Sequence, residues 1–184
     1  MADNTPAVFA HLSCRFGANR FFKERMLSFV RKSWSRSMKP VRILVVDAQG
    51  GGIGRQLVEK IKELFPEAVI TAVGTNSIAT AAMHKAKADY AATGENAVAV
   101  ACRSADIILG PIGIVIADSL WGEITPRIAL SVAQSRAKRI LIPFNHCDNI
   151  VAGCSGMGTG RLLQAAMEEL KRLMELSDAA CREE

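Results

Sequence analysis

The sequence of 184 residues has few cysteines and no long apolar run. Its five cysteines are odd in number and form no CxxC pair, which argues against a disulfide scaffold and predicts a reducing, cytoplasmic compartment. The longest apolar stretches, residues 97–102 and 113–117, fall far short of the roughly 18 residues that span a bilayer, so no transmembrane segment is expected. Hydrophobic residues nevertheless make up 49% of the chain, which is enough for a sizeable core and excludes wholesale disorder.

Acidic residues are scarce in the first forty positions. That segment holds eight of the 23 Lys and Arg residues but only two of the 18 Asp and Glu residues, so its own charge of +6 accounts for the net charge of +5 of the whole chain. We therefore divide the chain into a basic leader, residues 1–40, and an α/β domain, residues 41–184. Four interpretations of the leader stay open: an amphipathic helix that lies on an anionic surface, a transit-like peptide, a flexible or loosely docked helix, or sequence ahead of a native start at Met38. Eight dispersed charges without a fold signature do not favour nucleic-acid binding.

From Val41 onward, short apolar runs alternate with helical periodicity, a pattern typical of βαβ units and a mainly parallel sheet. About five strands are predicted, at residues 42–46, 69–74, 90–92, 106–110 and 139–143. Helices are predicted at about residues 52–65, 77–86, 95–103, 125–135 and 160–176. Thr93 is the predicted N-cap of the third helix, and Pro126 suits the first turn of the fourth.

The strongest functional signal is the glycine-rich loop between the first strand and the first helix. It contains Gly50, Gly51, Gly52, Ile53 and Gly54. Glycines let backbone N–H groups converge at a helix N-terminus, where they bind anions such as phosphate. The loop therefore predicts a site for a nucleotide, a dinucleotide or another phosphorylated small molecule; the alternative is a turn that only packs strand against helix.

The same loop is similar to the GxxxGIG loop of short-chain dehydrogenases, but the rest of their pattern is missing. The only tyrosine, Tyr90, is followed four residues later by Gly94 rather than by the lysine of their YxxxK pair. After the second strand, where dinucleotide folds offer an acidic residue to the ribose, this sequence has Gly74, Thr75 and Asn76. A dehydrogenase of that family is therefore disfavoured.

Polar residues follow the other strands and are expected at the same edge of the sheet. Thr75, Asn76, Thr93 and Asn96 are candidate pocket residues, with helix capping as their alternative role. Three side chains are candidates for chemistry: Asp47 and Glu95 as acid or base, and Cys147, beside His146, as a nucleophile. Asp47 also suits a purely anchoring role in the loop. No metal site is predicted, because His146, Cys147 and Cys154 lack a fourth ligand.

Several motifs, in order along the chain, resemble a small bacterial family called domain of unknown function 3842. They lie at residues 45–54, 74–83, 92–97, 110–113 and 122–126. Ala48 departs from the glycine expected at that position. The resemblance implies a Rossmann-like three-layer fold, and it brings no established activity or catalytic residues.

Three hypotheses follow. The first is a Rossmann-like domain that binds a phosphorylated small molecule through Gly50 to Gly54. The second is an enzyme that uses Glu95 or Asp47 as acid or base on that ligand. The third is a homo-oligomeric assembly subunit, without catalysis, whose interface is formed by residues 113–121 and the last helix.

Overall fold

The computed structural model describes residues 40–143, 149, 151–154 and 156–180. Residues 1–39, which make up nearly all of the predicted leader, lie outside the described residues. Five strands form one sheet, and every neighbouring pair is parallel. The strands are β1 (Arg42–Asp47), β2 (Val69–Gly74), β3 (Tyr90–Thr93), β4 (Ile107–Pro111) and β5 (Lys138–Ile142). Each strand lies within one residue of its predicted position.

Helices cover both faces of the sheet. They are α1 (Gly52–Leu64), α2 (Ser77–Lys85), α3 (Glu95–Ser104), α4 (Pro126–Gln134) and α5 (Thr159–Ala180), with an unpredicted 3-10 turn at Ile112–Val115. Helices α1, α2 and α5 pack on one face, and α3 and α4 on the other. This arrangement confirms the Rossmann-like three-layer fold. Among the described helices, none is long and apolar enough to cross a membrane.

Strand β1 forms the centre of both cores because its side chains alternate between the two faces of the sheet. Ile43 and Val45 point toward α1, α2 and α5, whereas Leu44 and Val46 point toward α3 and α4. All four side chains are buried. A strand covered on both faces reads as a continuous apolar run, which is why β1 is recognisable from the sequence alone.

The helix starts agree with the sequence in one case and differ in another. The Thr125 hydroxyl accepts a hydrogen bond from the Ile128 amide ahead of Pro126, as a helix N-cap does. The predicted cap at Thr93 is wrong. Gly94, at φ 97°, is the N-cap of α3 and offers no side chain, while the Thr93 hydroxyl lies 2.7 Å from that of Thr80.

The strand order, β3-β2-β1-β4-β5, creates a switch point in the middle of the sheet. The chain winds from β1 outward to β3, then crosses to β4 on the opposite side of β1. Successive loops therefore diverge at the carboxyl ends of β1 and β4, and the crevice between them is where ligands bind in open α/β sheets.

Candidate functional site

A cleft of about 270 Å³ lies at this switch point. The glycine-rich loop forms one side of it, and the loop after β4 contributes the other. Its lining residues are Asp47, Ala48, Gln49, Gly50, Gly51, Gly52, Ile53, Gln56, Pro111, Leu120 and Thr159. Five of them, Gly50 to Ile53 and Asp47, belong to the predicted site.

Asp47, the last residue of β1, anchors the glycine-rich loop through hydrogen bonds. Its side chain is only 4% exposed, and its two carboxylate oxygens accept hydrogen bonds from the Ala48 amide at 2.8 Å and the Gly54 amide at 2.6 Å. Burial raises the pKa of Asp47 above its ordinary value, although the amides of Gly54, Ala48 and Ile53 partly oppose that shift. Asp47 thus supplies the carboxylate that the N-terminus of α1 favours, since the N-cap residue itself, Gly51, has no side chain.

The glycines of the loop divide into two kinds. Gly51 has a φ of 67°, and a Cβ there would lie 2.6 Å from the Cα of Ala79. A Cβ on Gly54 would lie 2.5 Å from the Met83 sulfur. In contrast, a Cβ on Gly50 or Gly52 would meet no atom within 4 Å. Packing therefore requires Gly51 and Gly54, whereas Gly50 and Gly52 border open space in the cleft.

The loop offers fewer amides to a ligand than its sequence suggests. The Ala48 and Gly54 amides bond to Asp47, the Gly51 amide bonds to the Ala48 carbonyl, and the Gln49 amide bonds to Glu123. The Ile53 amide is also directed at Asp47. Among the amides from Ala48 to Gly54, only those of Gly50 and Gly52 have no hydrogen-bond acceptor in the described residues. Two amides of the loop, rather than the whole row, therefore remain for a ligand.

Glu123, in the loop after β4, was not among the predicted site residues. One of its oxygens, Oε2, accepts three hydrogen bonds: from the Gln49 amide at 2.9 Å, the Thr75 hydroxyl at 2.5 Å and the Asn76 side-chain amide at 2.8 Å. Partial burial opposes the charge of Glu123, but these three donors outweigh it and hold the pKa below its usual value. Glu123 therefore stays ionised and joins the loops that follow β1, β2 and β4.

The structure places Thr75 and Asn76 together at the end of β2. Asn76 caps α2, since its Oδ1 accepts the Ala79 amide at 2.9 Å, and its Nδ2 also donates to the Gln49 carbonyl and to Glu123. Neither Thr75 nor Asn76 is among the residues that line the cleft, and Asn76 does more than cap a helix. One side of the amide serves the helix and the other holds two loops together.

Glu95 and its neighbours lie elsewhere on the same edge. The Glu95 carboxylate accepts the Thr125 hydroxyl at 2.5 Å and pairs with Arg127 at 3.3 Å, so it is bonded to the start of α4. Thr93 and Asn96 are exposed, and none of these predicted residues lines the cleft. The cleft is therefore lined by only some of the predicted residues, and its lining lies mainly in the loops that follow β1 and β4.

The remaining candidate, Cys147, and its neighbour His146 lie outside the described residues. Burial raises the pKa of the Cys102 thiol to about 11, which keeps it protonated and unreactive. In the described part of the chain, no group of three or more His, Cys, Asp or Glu side chains is placed to hold a metal ion.

Comparison with known proteins places the chain in a family. The model of a family described as domain of unknown function (DUF3842) matches residues 42–175. The chain belongs to the DUF3842 family. The resemblance seen in the sequence motifs is thereby confirmed. Membership brings no activity with it, because the function of DUF3842 is itself unknown.

No curated protein matches this DUF3842 chain. A solved structure that is similar to it is the crystal structure of a dodecameric FMN-dependent UbiX-like decarboxylase from Escherichia coli O157:H7. The two are 20% identical with a TM-score of 0.38, and the match covers 72% of this chain and 75% of that one.

Proposed function

We propose that this chain binds a nucleotide or another phosphorylated small molecule in the cleft at the switch point. The observation that carries the proposal is the position of Gly50 and Gly52. Both border open space, and the amides of both lack a hydrogen-bond acceptor among the described residues. A phosphate oxygen in the cleft would supply that acceptor at the N-terminus of α1, where negative charge is favoured.

The charges around the cleft define the mode of recognition. No Lys or Arg is among the lining residues that the structure describes, and the one lining carboxylate, Asp47, is buried and bonded to amides of its own loop. Recognition of phosphate there depends on backbone dipoles rather than on ion pairs with side chains. We therefore expect modest affinity with a weak dependence on salt concentration, since pairing of exposed opposite charges is what salt screens.

Calorimetric titration of the purified chain with mononucleotides, dinucleotides and sugar phosphates tests the proposal. Gly52→Val places a branched side chain in open space above the amide, so it should block the ligand without disturbing the loop. We expect an affinity loss of at least about tenfold, or 1.4 kcal/mol. Ala81→Val, on the exposed surface of α2 and outside the cleft, is the control for added bulk. No binding by the unaltered chain, or equal binding by Gly52→Val, contradicts the proposal.

The hypothesis of an enzyme has less support from the geometry. Both oxygens of Asp47 already accept amides of the glycine-rich loop, and the Glu95 carboxylate is bonded to Thr125 and Arg127. Neither group points an unengaged oxygen toward the cleft as an acid or base requires. Binding is therefore the function that the described residues favour.

A further inference from the structure

A segment of the loop after β4, residues 116–125, extends across the end of β1. We name this segment the crossing loop. It starts on the β4 side of the sheet, contributes Leu120 to the cleft, and reaches the end of β2 through the bonds of Glu123 to Thr75 and Asn76. Because β1 lies between β2 and β4, the crossing loop passes over the glycine-rich loop that follows β1.

Backbone strain is concentrated in the glycine-rich loop after β1 and in the crossing loop. Among the described residues, five non-glycine positions have a positive φ, and four of them lie here: Gln49 at 53°, Asp118 at 60°, Leu120 at 54° and Trp121 at 61°. Such conformations persist only where surrounding contacts hold them. Burial does not hold Trp121, whose side chain is 93% exposed, so contacts elsewhere in the loop must do so.

Glu123 makes the long-range contacts that tie the crossing loop to β1 and β2. Local bonds shape the loop itself, such as the one from the Ser119 hydroxyl to the Gly113 carbonyl at 2.6 Å. In contrast, the partners of Glu123 lie 47, 48 and 74 residues away in the chain. All three donate to a single carboxylate oxygen, which is how a protein holds an anion.

We propose that Glu123 is a latch on the proposed ligand site, a tethered carboxylate that occupies donors which an incoming phosphate would otherwise use. This inference rests on the proposed function. The Gln49 amide adjoins that of Gly50, so release of Glu123 extends the row of available donors from two amides to three amides, one hydroxyl and one side-chain amide. While Glu123 is in place, its charge and the crossing loop both oppose an anion there.

The test compares the full chain with Glu123→Ala and Glu123→Gln, using inorganic phosphate as the probe. Asp118→Asn is the matched control, because it removes one negative charge from the same loop, where no described side-chain bond involves Asp118, and Asn tolerates its positive φ. Phosphate affinity is measured by calorimetry, and hydrogen exchange of residues 116–125 reports on the crossing loop without any ligand. In a Trp34→Phe background, Trp121 is the only tryptophan, so its fluorescence reports on the crossing loop in parallel.

We expect Glu123→Ala to bind phosphate at least about tenfold more tightly than the unaltered chain and to exchange faster over the crossing loop. Glu123→Gln keeps an oxygen for the donors but loses the charge, so its affinity should be intermediate. It also keeps the test valid if the alanine variant folds poorly. Asp118→Asn should match the unaltered chain in both measurements.

Two results would overturn the latch. If both Glu123 variants bind phosphate no more tightly than Asp118→Asn, or if the crossing loop exchanges unchanged in both, Glu123 holds nothing closed. If nucleotides or sugar phosphates meanwhile bind the unaltered chain and Gly52→Val abolishes that binding, the proposed function stands and only the latch fails. If neither phosphate nor any compound of the panel binds the unaltered chain or the Glu123 variants, both proposals fail.

Discussion

Two carboxylates near the glycine-rich loop differ in environment, and their ionisation shifts in opposite directions. Asp47 is buried, which raises its pKa, and the charge of Glu123 adds to that rise. Glu123 is only partly buried and has three donors on one oxygen, so its pKa falls. Burial raises the pKa of a carboxyl group, and hydrogen-bond donors lower it. Burial has the larger effect at Asp47, whereas the donors have the larger effect at Glu123.

We predict that Asp47→Asn destabilises the fold. Asp47 accepts an amide at each oxygen, and asparagine has only one oxygen, so either the Ala48 or the Gly54 amide would face an NH₂ group in a buried position. A buried donor left without a partner costs about 1–3 kcal/mol. Urea denaturation measures the loss, and Asp118→Asn, an exposed change of the same kind, should leave the unfolding free energy unchanged.

The ionisation of Glu123 predicts a dependence of stability on pH. Because the folded pKa lies below its usual value of 4.5, the charged group stabilises the fold above about pH 4.5, and that stabilisation is lost as the pH falls through the lower folded value. Glu123→Gln should therefore be less stable than the unaltered chain at pH 7, and the difference should shrink as the pH falls below 4.5. Denaturation curves of both proteins at several pH values measure it. A difference that is constant with pH contradicts this view.

At the scale of elements, the glycine-rich loop predicts a contrast between its own members. Gly51→Ala and Gly54→Ala should destabilise the fold, because each Cβ would lie under 3.0 Å from neighbouring atoms, and Gly51 also has a positive φ. Overpacking of this kind costs about 1–3 kcal/mol. Gly50→Ala and Gly52→Ala meet nothing within 4 Å and should unfold like the unaltered chain. Thermal unfolding of the four variants compares them, and equal losses at all four positions would show that the loop has no open side.

The elements were predictable from sequence because local patterns determine them. The apolar run of β1 and the turn of glycines after it lie next to each other in the chain, and the structure begins β1 and α1 at the predicted residues, Arg42 and Gly52. The cap of α3 was misassigned because a threonine and a glycine stand side by side, and the backbone turned at Gly94. Threonine and glycine have similar N-cap preferences, so residue type alone does not decide which of two neighbours caps the helix.

The site was less predictable than the elements, for a physical reason. Glu123 meets Gln49 across 74 residues, and nothing in its local sequence indicates that contact. The strand order and the path of the crossing loop create it. Conversely, Glu95 and Thr93 follow a strand as site residues do, but they belong to the edge strand β3 and helix α3, away from the switch point.

At the scale of the whole molecule, the last helix belongs to the core rather than to a free surface. Its apolar stripe lies against the sheet and α1, where Leu163 is 1% exposed and Leu170 is fully buried. The stripe is therefore already used within the chain. The homo-oligomeric subunit, with residues 113–121 and the last helix as its interface, stays a prediction, and Trp121 is exposed in that segment.

The two cores also lead to a proposal about the boundary of the domain. Within the described residues, which begin at residue 40, the domain has a hydrophobic cluster with buried side chains on each face of the sheet. We expect a chain that starts at Met38 to fold on its own, with a Tm within about 2 °C of the full chain, since a change of 1 kcal/mol shifts Tm by about 2–4 °C at this size. Leu170→Ala in the full chain is the reference for real damage. It removes a fully buried side chain and should cost about 2–5 kcal/mol. A shortened chain that melts as early as Leu170→Ala would mean that residues 1–37 belong to the folded domain.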